Sequence, residues 1–85
     1  MEKRIGTITI LITNHESVSG VNALLSEYAD LILGRQGLPM HERSIFVISL
    51  IVEGEITTIN ALTGKLGRLP HVEVKTILTK YKQEI

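Results

Sequence analysis

Along the chain, apolar positions pass from period two to helical spacing and then repeat the passage. In RIGTITILI, Ile8, Ile10 and Ile12 alternate with Thr9 and Leu11, which predicts a strand with one buried face. Asn14, a residue type suited to capping a helix, precedes Val18, Val21, Leu24, Leu25 and Tyr28, which recur at helical spacing. The pattern returns 38 residues later: FVISL (46–50) stands to ITILI (8–12) as INALT (59–63) stands to VNALL (21–25). Phe46, Ile48 and Leu50 take the register of the three isoleucines, and Ile59, Leu62, Leu66 and Leu69 form a second helical stripe that ends before Pro70. Each copy closes on another short strand, about 31–38 and about 71–78. The predicted order is β-α-β-β-α-β, in a single domain spanning residues 1–85.

Right-handed crossovers interleave two such units into a four-stranded antiparallel sheet ordered 4-1-3-2, an α+β sandwich with both helices on one face. Strands 1 and 3 are then central. Their helix-free faces carry Thr7, Thr9 and Leu11 beside Ile45, Val47, Ser49 and Ile51. This explains why IFVISLIV (45–52) shows no alternation of apolar and polar residues: a strand covered on both faces has no reason to alternate. A patch of this kind is expected to meet another protein surface, although β-branched residues also suit strands on propensity alone.

Composition narrows the functional classes. The chain has 85 residues, 44% hydrophobic and 21% charged, which suits a folded domain with a modest core. The eight-residue apolar run falls far short of the ~20 residues of a membrane-spanning helix. MEKRI leads straight into strand-like sequence with no room for a signal peptide, so a cytoplasmic location and no membrane partner are expected. Nine basic side chains balance nine acidic ones, leaving no basic footprint for direct nucleic-acid binding. With no cysteine, disulfides, thiolate zinc sites and cysteine-held iron–sulfur clusters are excluded.

The predicted topology brings His15, His41 and His71 to one end of the sheet. Strand 4 lies two to three strand spacings from the 2/3 hairpin, on the order of 12 Å at ~4.8 Å per strand, while zinc–nitrogen bonds are ~2.0–2.1 Å. No metal site and no cofactor are expected. In GRQGLPMHER, Gly34 and Gly37 permit positive φ or close backbone approach, Pro39 stiffens the turn, and Arg35 offers a planar donor group to a carboxylate or phosphate. Asn14, His15, Arg35, Gly37 and His41 form the candidate ligand set. Against it stands the plainer reading of hairpin punctuation with a solvated arginine. TGKLGR (63–68) looks like a phosphate loop, but Leu66 follows Gly64-Lys65 and the segment sits near a helix C-terminus, where the dipole disfavours anions. There its glycines are expected to allow close approach or to fray the last turn, with Lys65 and Arg68 complementing the helix end. No catalytic residue emerges: Gly-x-Ser-x-Gly is absent, and Glu42 and His41, adjacent in sequence, point apart.

Taken together, KRIGTITILI, VNALLSEYADLILGRQGLP, ISLIVEG and INALTGKLGRLPHVEVK resemble the small ACT-like candidate regulators of the iron-only hydrogenase system, over nearly the whole chain. RIGTITI, GRQGLP and ALTGKLGRLP are specific only in combination. The resemblance implies a ferredoxin-like homo-oligomer, a homodimer or homotetramer. Such a protein is similar to the C-terminal domain of the nickel-responsive repressor and, more distantly, to amino-acid-sensing ACT domains. It implies a regulatory or sensing module acting through a small ligand or a protein partner; a purely structural interaction module and a metal-binding protein are the alternatives. Nickel sensing does not carry over, because the repressor's metal site needs a cysteine and a strand-3 histidine. The repressor's DNA-binding segment has no expected counterpart ahead of a strand beginning near residue 4. The Pro-Gly pair common in the β1–α1 turn of ACT domains is replaced by TNHESVSG, a departure that leaves amino-acid sensing open, with Asn14 still a contact candidate.

Overall fold

Alternating burial in the two central strands organises the computed structural model, which describes residues 2–84 and the side chains of residues 2–81. Its elements are β1 (Glu2–Ile12), α1 (Val18–Glu27), β2 (Ile32–Met40), β3 (Ile45–Gly54), α2 (Ile56–Gly67) and β4 (Val72–Glu84), with single 3-10 turns at His15–Ser17, Ala29–Leu31 and His41–Arg43. All pairings are antiparallel, and the sheet order β2-β3-β1-β4 is the expected 4-1-3-2 read from the opposite edge. Ile8, Ile10 and Ile12 of β1 and Ile48, Leu50 and Val52 of β3 form one core with Val21 and Leu25 of α1 and Ile59, Leu62 and Leu66 of α2. Both helices therefore cover the same face. No helix among the described residues is long and apolar enough to cross a membrane.

Two irregularities set which side chains face where. Ile32 pairs with Val52 and Gly34 with Ile51, so Leu33 is an extra residue in β2. Such a bulge inverts the alternation beyond it: Arg35, Gly37 and Pro39 join the helix face, and Gln36, Leu38 and Met40 the opposite one. The second irregularity separates the Arg4–Lys82 and Gly6–Leu78 pairs of β1 and β4. There the Thr79 hydroxyl donates to the Ile5 carbonyl at 2.7 Å.

The β1–α1 and α2–β4 turns are tied together. Thr13 N–H donates to the His71 carbonyl at 3.0 Å, and the buried Ser17 hydroxyl donates to the Pro70 carbonyl at 2.5 Å. Asn14 does cap, but one turn early: its Oδ1 accepts from Glu16 N–H at 2.9 Å, starting the 3-10 turn that leads into α1. The glycines of TGKLGR do not serve close approach. A Cβ on Gly64 would meet nothing within 4 Å, and one on Gly67 would make only ordinary contact with Val74 at 3.5 Å. Lys65 lies in the last turn of α2, where a cation complements the helix end, and it also reaches across to α1. Its ammonium bonds Glu27 of α1 at 3.2 Å and lies 5.1 Å from the Tyr28 ring centroid, joining the two helices.

Candidate functional site

The turn between β2 and β3 falls later than the glycines suggested. Met40 is the last residue of β2, His41–Arg43 form a 3-10 turn, and Ser44 closes it at φ 56°, in the left-handed region. No glycine has positive φ. Gly37 instead lies under a ring: a Cβ there would sit 3.0 Å from Cε1 of Phe46, so only glycine leaves that aromatic undisturbed. Phe46 opposes both Pro39 and Ile12, at the end of the sheet where the β1–α1 turn also emerges.

Between these two turns is a partly open cavity of about 360 Å3. Its apolar lining comes from Ile12, Val18, Pro39, Met40, Ile45 and Phe46, and its polar lining from His15, His41 and Ser44. Both histidines are exposed at the rim, and neither imidazole has a hydrogen bond or ion pair among the described residues. No carboxylate lines the cavity.

Of the five expected ligand residues, then, the structure brings His15 and His41 to one site. Gly37 supports it from beneath Phe46. Asn14 borders it in sequence but spends its carbonyl oxygen on the cap. Arg35 lies elsewhere: turned to the helix face by the Leu33 bulge, its guanidinium donates to Oδ1 of Asn22 in α1 at 3.3 Å. His71 is exposed at φ 60°. Among the described residues no three His, Cys, Asp or Glu side chains are grouped to hold a metal ion. Sequence reasoning missed the apolar lining. The signal available was Phe46, the chain's one phenylalanine, placed directly after a turn.

On the helix-free face, the register aligns Thr7 with Ile51, Thr9 with Ser49, Leu11 with Val47 and Met40 with Ile45. All seven residues expected on this face are there. Leu38 and Ile77 extend it on the flanking strands, and they and Ile51 are 53%, 68% and 50% exposed respectively. Across the sheet, the row Leu38–Val47–Leu11–Glu73 and the row Gly34–Ile51–Thr7–Ile77 flank a polar row, Gln36–Ser49–Thr9–Lys75.

A βαββαβ sandwich of this size, with a cavity between its end turns and one bare sheet face, defines a small ferredoxin-like, ACT-like domain. Residues 4–76 match the TM1266-like family, described as candidate regulators of the iron-only hydrogenase system, and the chain belongs to that family. A solved structure from Thermotoga maritima, the uncharacterized protein TM1266, is 37% identical, with 92% of this chain and 99% of that one covered and a TM-score of 0.88. The C-terminal domain of the MgtC protein from Mycobacterium tuberculosis is 11% identical, with 94% and 92% covered and a TM-score of 0.70. An ACT domain protein from Streptococcus pneumoniae is 17% identical, with 88% and 89% covered and a TM-score of 0.59. The last two share the fold. No functionally curated protein matches the sequence.

Proposed function

We propose that this chain is a small, non-catalytic regulatory or sensing module of the iron-only hydrogenase system, working as a homo-oligomer in the cytoplasm and responding to a small ligand. The observation that carries the reading is the cavity that joins His15 and His41 over an apolar floor. Its volume lies at the lower end of the range of ligand sites, and its chemistry has their usual form, a mostly apolar lining with a few convergent polar groups. Two elements far apart in the chain meet there, the β1–α1 turn and the β2–β3 turn. A ligand touching both would stiffen that end of the sheet and so change what a neighbouring subunit or partner protein meets.

A thermal-shift screen over small-metabolite classes tests this reading. At least one class should raise the melting temperature saturably, and the His15→Ala/His41→Ala double variant should lose that response while keeping its own cooperative unfolding. The exposed apolar face favours a second reading, a structural interaction module that takes no ligand. A screen with no saturable response, alongside a stable oligomer, selects it.

A further inference from the structure

We propose that the cavity between the β1–α1 and β2–β3 turns takes a small apolar monocarboxylate, with a branched or aromatic hydrocarbon body and no amino group; this rests on reading that cavity as a ligand site. Size is the first argument. About 360 Å3 is the space of a dozen waters, at the ~30 Å3 each takes in the liquid, so the body has on the order of ten non-hydrogen atoms. The floor is the second: six of the nine lining residues are hydrocarbon or thioether, and Phe46 offers a ring against which a second ring or a branched chain can pack.

Charge decides the head group. The polar residues of the lining are His15, His41 and Ser44, whose side chains can all donate, and neither imidazole is committed to a partner among the described residues. A carboxylate placed between them gains charge-assisted hydrogen bonds. An ammonium finds no opposite charge in the lining, because no Asp or Glu lines the cavity. The nearest acids in sequence do not alter this. Glu16 is exposed and outside the lining, and Glu42 lies in an adjoining, more open concavity that shares Met40 and His41 with the cavity and also holds Arg43, which brings an opposite charge beside the carboxylate.

The test uses the full chain, isotope-labelled for NMR titration, with matched probes: phenylacetate and 4-methylpentanoate, the corresponding amides, the corresponding amines, and phenylalanine. The carboxylates should shift the resonances of His15, His41 and Phe46 saturably, with dissociation constants at least tenfold below those of the amides, the amines and phenylalanine. The His15→Ala/His41→Ala variant, which removes both donors, should lower carboxylate affinity at least tenfold while keeping its own cooperative unfolding, a combination that general loss of structure would not produce. An amide or amine that binds as tightly as its carboxylate overturns the proposed ligand class and leaves the cavity reading standing. If no probe moves the cavity resonances, the cavity reading falls and the ligand class falls with it.

Discussion

At the scale of single residues, two glycines of similar appearance in the sequence have opposite structural meaning. Gly6 is buried where β1 passes β4, and a Cβ there would meet the Ile77 carbonyl oxygen at 2.6 Å and a Leu78 methyl at 2.8 Å. Backbone cannot step aside as a side chain can, so Gly6→Ala should destabilise the fold by roughly 1–3 kcal/mol. Gly64 lies inside α2 with open space around it, and there the flexibility of glycine is only an entropic cost. Gly64→Ala should stabilise by ~0.5–1 kcal/mol. Chemical denaturation of the two variants beside the parent checks both signs at once. Ser17 is a third case: its hydroxyl is buried and donates to Pro70 across two turns. Ser17→Ala should lower stability by ~1–2 kcal/mol by stranding that carbonyl, visible in the same denaturation series. None of these three could be ranked from sequence, because each depends on an atom more than 50 positions away, or, for Gly64, on the absence of one.

At the scale of elements, the sequence was most legible where period and burial coincide. Ile8, Ile10 and Ile12 announce a one-faced strand, and the 38-residue repeat places the second strand–helix pair in the same register. It was least legible in β2. Gly34, Gly37 and Pro39 have turn chemistry, yet all three lie within the strand, since the strand is an edge and Pro39 therefore costs no shared ladder bond. What sends Arg35 to the helix face is the single extra residue Leu33, and a bulge leaves no mark on an apolar pattern as short as LILG. Deleting Leu33 should therefore be far more damaging than its exposure suggests. Without it, residues 34–40 either exchange faces, which puts Arg35 outside and Leu38 against the helices, or slip by one position against β3. Loss of cooperative unfolding, read by near-ultraviolet and far-ultraviolet dichroism, is the expected result, whereas Leu33→Thr should be nearly silent. The link between the helices behaves oppositely. Hydrogen bonds that the Lys65 ammonium makes to Tyr28 and Glu27 raise its pKa above the ordinary range, but the side chain is exposed. A raised folded value contributes fully below lysine's unfolded titration at 10.5 and fades only as pH climbs through the folded value. Lys65→Met should consequently change thermal stability little at pH 7, and the parent should show no extra loss of stability below about pH 10 from this group.

At the scale of the whole molecule, the proposed assembly follows from a face that the fold itself leaves bare. The helices are both spent on the core side of the sheet, so among the described residues Ile51, Leu38 and Ile77 stay exposed and Val47 and Leu11 only half-buried. Between the two apolar rows runs a line of short or flexible polar side chains, with Ser49 and Thr9 at its centre. Small hydroxyls at the middle of such a face let a second sheet approach to the ~10 Å spacing of stacked sheets, where the flanking rows can interdigitate. At ~25 cal/mol per Å2, covering ~400 Å2 of apolar surface on each subunit would contribute on the order of 10 kcal/mol per subunit gross, much of it offset by the entropy of association. Val47 sits in the row with Leu11 and Leu38 and is half-buried already in the single chain. Val47→Glu should dissociate the oligomer, because it forces a carboxylate into an apolar row of a face that assembly desolvates. Ala61→Glu, on the exposed side of α2, should leave assembly untouched and so controls for added charge. Sedimentation at micromolar concentration separates the outcomes: a monodisperse parent monomer removes the assembly altogether, and an oligomer indifferent to Val47→Glu moves its interface to the strand edges or the helices.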